Sequence, residues 1–275
     1  MSGALLAFSA TAVAVRELSR AFTVFEILSL RNLAGIAILL GLVGAQPSLR
    51  AELRLRQPRL QLARNGVHFA ATYAWALGVT LLPLATVFAL EFSTPAWVAL
   101  LAAIFLKEPM TASRAASIVL GFVGVIIVLR PGLETLRPAA FVVLGAAVGF
   151  AVTTVLTKRL TATESTFSIL FWMNAMQLPL NLLGAHSAFW TRLEAQHAVP
   201  LIGVCVGGLA SHWCLTNAFR HGDAIMVVPL DFLRIPLIAF LGWRLYGEPL
   251  DIWVFAGAGL IIVGVLWNLR AETRR

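Results

Sequence analysis

Hydrophobic positions in this chain fall in long blocks, neither alternating nor recurring every third or fourth residue. Charged residues, glycines and prolines cut the 275 residues into ten apolar segments: 3–19, 24–44, 61–81, 84–106, 111–129, 138–158, 165–185, 198–219, 224–245 and 250–268. Their length, near twenty residues, is what an α-helix needs to cross a hydrocarbon core of about 30 Å. No water reaches backbone amides in that core, so a helix, which satisfies its own amides, is the expected spanning form. The pattern therefore predicts an all-α integral membrane protein with ten transmembrane helices. Connections are short, only 45–60 and 186–197 leave room for a small surface turn, and residues 1–275 read as a single membrane domain. No positive residues precede the first apolar run and no small-residue cleavage site follows it, so it reads as a retained span, not a signal peptide.

Composition agrees with a lipid solvent. The chain is 59% hydrophobic and 12% charged, against about 25% charged in an ordinary soluble domain. Its formal net charge of +8 does not point to nucleic acid, because the basic residues sit in short connections rather than along one face. Their placement is topological. With the N-terminus inside, thirteen Lys or Arg residues fall on the inner side and six on the outer, which predicts both termini in the cytoplasm and a bacterial inner-membrane location. Cys205 and Cys214 lie nine residues apart on one segment and point to opposite helix faces. They suggest neither a disulfide nor a metal site, and nothing else calls for a cofactor.

The chain repeats itself. At an offset of 140, "VFALEFSTPAW" (87–97) falls on "VVPLDFLRIPL" (227–237), Glu108-Pro109 on Glu248-Pro249, and Gly124 on Gly264. At an offset of 142, "FSATAVAVRELS" meets "FAVTTVLTKRLT" and Asn32 meets Asn174. Two five-helix halves result, 3–130 and 138–270. Five is odd, so the second half enters from the opposite side and the repeat is inverted. Such repeats recur in secondary transporters, although a duplication kept for packing alone would read the same way.

The residues "KEPMT…GFVGVIIVLRP" and "GEPLD…AGLIIVGVLW", with "ILSLRNLAGIAILL" around the mid-helix Arg31, resemble the drug/metabolite transporter superfamily, in particular its EamA-type members. The likeness covers about residues 5–268, and in overall texture it is nearest to the YddG-type exporters of aromatic amino acids. It implies an inner-membrane carrier without ATPase machinery that moves small metabolites outward by alternating access. The absence of a G-x-x-x-x-G-K-[ST] motif agrees. The compact four-helix multidrug relatives use a first-helix glutamate for proton exchange. Here the one acid in the first span is Glu17, at the helix end beside Arg16, and the sequence departs from that pattern.

Four ionisable residues fall at membrane depth: Arg31, Glu91, Asp231 and Arg234. Each costs roughly 2.5–3.5 kcal/mol on insertion scales, so partners or function are expected. In the structural reading, Asp231 pairs with Arg234 three residues on and Arg31 pairs with Glu91 across helices. In the functional reading, these groups hold the ammonium and carboxylate of a zwitterionic substrate. Thr94 in the first copy is Arg234 in the second, so Glu91 lacks a partner on its own helix and is the stronger functional candidate.

Mid-span aromatics form the second constellation: Tyr73, Trp75, Trp97, Trp172 and Trp213, with His212 beside the last. Flat rings carrying one polar atom suit a pocket for an amphipathic solute, and equally suit plain packing. His68 reads as a hydrogen-bonded core residue. Pro229 and Pro236 bracket Asp231 and Arg234, which makes the ninth span the expected broken helix. "GAAVG" (145–149) and "AGAG" (256–259) favour close helix contact, and both a monomer and a homodimer fit.

The functional expectation is therefore a carrier with a small-molecule substrate, a lipid bilayer around it and no nucleic-acid partner. An intramembrane enzyme using Glu91 or Asp231 is the rival from a different class, but no H-E-x-x-H or G-x-S-x-G motif supports it.

Overall fold

In a computed structural model the apolar segments, where they are described, form α-helices. The structure describes residues 2–105, 111–129, 138–221 and 234–273, and among the described residues there is no strand. The helices are α1 (Ser2–Leu18), α2 (Val24–Ala45), α3 (Pro58–Leu81), α4 (Leu84–Glu91), α5 (Thr94–Phe105), α6 (Ala112–Leu129), α7 (Pro138–Leu160), α8 (Thr166–Gly184), α9 (Ala198–His221), α10 (Arg234–Tyr246) and α11 (Ile252–Thr273). By length and composition, α2, α7 and the 195–217 stretch can cross a bilayer, and shorter apolar helices lie at 84–98, 115–128, 237–246 and 252–268.

The fourth segment departs from expectation. The apolar run 84–106 predicts one helix, but the chain forms α4 and α5 with a break at Phe92–Ser93. Pro95 is the cause: it has no N–H to give, and its ring crowds the carbonyl four residues back, which belongs to Glu91. The freed acceptors are taken up locally. Thr94 Oγ1 donates to the Glu91 carbonyl at 2.6 Å, and Ser93 Oγ donates to the Leu90 carbonyl at 2.7 Å. The corresponding expectation of a break in the ninth span falls on Pro229 and Asp231, which lie outside the described residues.

The chain forms two compact units, residues 1–69 with 156–223 and residues 70–155 with 224–275. Each draws on both halves of the sequence.

In the first unit, α9 lies close against α1. A Cβ at Gly207 would stand 2.7 Å from Thr11 Oγ1 and 2.9 Å from the Ala7 carbonyl, so only glycine permits this approach. Leu39, Val43, Phe167 and Leu170 form an apolar cluster of α2 and α8, onto which Leu49 and Leu53 of the 3-10 turn Pro47–Leu53 pack. The α2 N-terminus carries a capping box: Thr23 Oγ1 accepts the Glu26 amide, and Glu26 accepts the Thr23 amide at 2.8 Å. Glu26 is fully buried, and its second partner is Arg192, whose guanidinium also donates to the Ala21 carbonyl at 2.7 Å. Glu164 plays a like part at the α7–α8 turn, accepting the Arg56 and Gln57 amides at 3.0 Å each.

In the second unit, α6 packs on α11 with reciprocal glycine contacts. A Cβ at Gly124 would lie 2.6 Å from the Gly257 carbonyl, and one at Gly264 would lie 3.3 Å from the Ser117 carbonyl. The offset of 140 turns the first pair into the second. Gly247, at φ 63°, closes α10 in the left-handed conformation. Glu248 follows it, and its carboxylate accepts the Leu84 amide at 2.9 Å, capping α4. The repeated Glu-Pro step thus has a mechanical role in its second copy; the first copy, Glu108-Pro109, lies outside the described residues.

Candidate functional site

Glu91 is the last residue of α4, set at the break. Trp75, on α3 and 7% exposed, donates its indole N–H to Glu91 Oε2 at 2.8 Å. The Trp75 ring also meets Phe88 edge-on at 6.1 Å between centroids. Beyond the break, Trp97 packs edge-on against Phe122 at 4.7 Å, and its indole nitrogen is buried with no hydrogen-bond partner among the described residues. Tyr73 is half-buried on α3. The second unit thus places a half-buried carboxylate at an interrupted backbone and bonds it to one indole, with the Trp97 indole farther along the fourth segment.

The first unit has a polar interior. On α3, Gln61, Arg64, Asn65 and His68 are all buried, and their spacing of three and four residues puts them on one face. Arg64 donates through Nε to Thr157 Oγ1 at 3.2 Å and through Nη1 to Asn65 Oδ1 at 2.7 Å. Gln177 on α8 donates to His68 Nδ1 at 2.8 Å. The His68 and His212 rings meet edge-on at 5.0 Å. Arg31 on α2 is buried, and its one hydrogen bond runs to Asn32 Oδ1 at 3.4 Å. Its stem lies over Gly208 of α9, where a Cβ would come within 2.9 Å of Arg31 Cδ.

The expected pairing of Arg31 with Glu91 would join the two units, which are described separately. Trp75 donates a hydrogen bond to Glu91, and among the described residues neither Arg31 nor Arg64 has an ion pair. Trp172 turns its indole N–H to the Leu53 carbonyl at 3.1 Å, because the 3-10 turn packs over that end of α8. Trp213 is 39% exposed on α9, while His212 is half-buried. Arg234 opens α10; Asp231 lies outside the described residues, so the Asp231–Arg234 pairing does too. Arg64 was not expected at depth, since its place near the start of a span counts it with the inner-side charges. The signal was present as a polar stripe, Gln61, Arg64, Asn65 and His68, within an otherwise apolar helix. No group of three or more His, Cys, Asp or Glu residues at metal-binding distance occurs among the described residues.

Comparison with known proteins decides the family. The profile of the EamA-like transporter family matches the chain twice, over residues 1–130 and 137–270. The chain belongs to the EamA-like transporter family. This EamA-family protein is a multi-pass membrane transporter of small metabolites. It is similar to the riboflavin transporter of Rhizobium johnstonii, 29% identical and covering 82% of this chain and 74% of the relative. It is also similar to the S-adenosylmethionine uptake transporter of Rickettsia felis, 26% identical over 81% of this chain and 75% of the relative. The pseudopaline exporter CntI of Pseudomonas aeruginosa is 26% identical over 96% of this chain and 95% of the relative. These are transporters, not enzymes, and none of the three is named for an aromatic amino acid. A crystal structure sharing 19% identity aligns with a TM-score of 0.60 over 99% of this chain and 98% of its own, which shows a common fold.

Proposed function

We propose that this EamA-family protein is a secondary carrier that exports small amphipathic metabolites across the bacterial inner membrane. Two inverted five-helix halves, 3–130 and 138–270, expose the substrate alternately to either side, with both termini cytoplasmic. The family's double match along the chain and the reciprocal pairs Gly124–Gly257 and Gly264–Ser117 support the repeat. Amino acids with aromatic or bulky neutral side chains are the proposed substrates, met by Tyr73, Trp75 and Trp97 as stacking surfaces.

One observation carries this reading: the fourth segment breaks beside a carboxylate at membrane depth, and an indole holds that carboxylate in place. Broken helices in transporters put backbone and charge at the substrate site and supply the bend on which rocking depends. Binding by Asp231 and Arg234 at the related place in the second half belongs to the same proposal.

The relatives favour a second substrate reading. Riboflavin and S-adenosylmethionine each join a flat heteroaromatic ring to a polar chain, and a larger metabolite of that kind would use the same aromatic surfaces. Both readings are tested with purified protein in proteoliposomes. Labelled phenylalanine is the driver solute, and the twenty amino acids, riboflavin and S-adenosylmethionine compete. Saturable phenylalanine flux blocked best by aromatic amino acids supports the first reading. Block by riboflavin or S-adenosylmethionine alone supports the second. Flux equal to empty liposomes for every labelled solute, with one of them chemically altered, removes the carrier reading.

A further inference from the structure

The break at Glu91 leaves unexplained a group of cations in the first unit. Arg31 and Arg64 are 6% and 3% exposed, lie well inside α2 and α3, and carry charge where burial is costly. Buried charges are normally paired, yet neither guanidinium has a carboxylate partner among the described residues. The buried acids of the same unit are engaged elsewhere, Glu26 by Arg192 and Glu164 by the Arg56 and Gln57 amides. Both guanidiniums act electrostatically on the His68 and His212 rings.

Hydrogen-bonding capacity is in surplus as well. Arg31 uses one of its five N–H groups, and that bond is long at 3.4 Å. In the same unit Asn32 Nδ2, Gln61 Nε2 and Ser29 Oγ are buried, with no hydrogen-bond partner among the described residues. A native interior leaves few such atoms idle. Positive charge buried in one unit without a carboxylate partner describes half of a binding site.

We propose that Arg31 and Arg64, with His68 and His212, bind an oxyanionic group of the transported solute, a carboxylate or a phosphate. A guanidinium fork matches either group through paired N–H···O bonds. Gly208 seats the Arg31 stem, and His212 follows it one turn along α9, so α9 positions the arginine toward the histidine pair. This proposal rests on the carrier reading but names a different requirement: the solute carries an anion. It extends the site to Arg64 and His68.

The test is thermal unfolding of the purified full-length chain in detergent at matched ionic strength. The probes are sodium acetate, inorganic phosphate and the neutral acetate isostere acetamide. We expect a saturable rise in midpoint with acetate or phosphate and none with acetamide. Arg31→Gln and Arg64→Gln should weaken the apparent affinity about tenfold or more. Arg31→Lys should keep a reduced response, and Arg50→Gln, which removes one exposed charge, should respond in full. Gly208→Ala displaces the Arg31 stem with every charge retained, and a weakened anion response there supports the proposal even if Arg31→Gln does not fold. No anion response beyond that to chloride, or equal responses in wild type, Arg31→Gln and Gly208→Ala, overturns it. Proteoliposome flux separates the two levels. An anion response without flux of any solute contradicts the carrier and keeps the anion site. Wild-type flux of an uncharged solute through Arg31→Gln contradicts the anion site and keeps the carrier.

Discussion

Trp75 donates its indole N–H to Glu91 Oε2 at 2.8 Å, and Glu91 is the residue at which the fourth apolar segment stops being a helix. A carboxylate in that position is costly unless a donor holds it. Trp75→Phe keeps the ring and removes the donor, and Glu91→Gln keeps the shape and removes the charge. Each should lower transport about tenfold or more, as expected for the loss of a hydrogen bond to a charged group. The double variant should lose little beyond the worse single one, because the two act as a unit. Initial rates in proteoliposomes at matched protein density check this; additive losses contradict it.

Thr94 and Pro95 set the break and separate bending from binding. Thr94→Val removes the hydroxyl that bonds the Glu91 carbonyl at 2.6 Å and should cost about 0.6–1.7 kcal/mol of stability, while Thr94→Ser should stay near wild type. Pro95→Ala restores an amide to the helix. It should raise the thermal midpoint and slow transport, since a continuous helix bends less readily. A variant with a raised midpoint and unchanged rate would remove the break from the mechanism.

The Glu26–Arg192 pair fastens the α8–α9 connection to the α1–α2 turn. Arg192→Ala leaves a fully buried carboxylate without its cation. The guanidinium is half exposed, so the cost is discounted to about 1.5–3 kcal/mol. Urea or detergent unfolding measures the loss. Arg50→Gln, in the exposed 3-10 turn, should show none.

Glu248 caps α4 through the Leu84 amide. Glu248→Ala should lower stability by about 0.5–2 kcal/mol, the range for a lost N-terminal cap, and Glu248→Gln, which retains an acceptor, should lose less. Equal losses for both variants would assign Glu248 another role.

Much of this was legible in the sequence because bilayers impose long apolar blocks, and because repetition made Glu91 and the Glu-Pro steps stand out. The break at Phe92 was less legible: Pro95 announced it, but the uninterrupted apolar run 84–106 favoured one helix. Arg64 was hidden because counting charges by connection ignores depth, and the stripe it forms with Gln61, Asn65 and His68 shows only when the helix face is drawn. The Thr23–Glu26 capping box is visible as spacing, whereas Arg192, 166 residues away, is joined to it by tertiary packing alone. Nothing local in the sequence indicates that the Trp172 indole would meet the Leu53 carbonyl of the 47–53 turn.

Counterflow tests the central claim most directly. Proteoliposomes preloaded with unlabelled solute, without ATP or an imposed ion gradient, are diluted into trace label, with phenylalanine, riboflavin and S-adenosylmethionine run in parallel. A secondary carrier predicts transient accumulation of label above equilibrium for at least one solute, saturable by excess of that solute and strongly reduced in Glu91→Gln. Label that never exceeds the level of empty liposomes for any solute, or an overshoot of the same size in wild type and Glu91→Gln, would contradict the account.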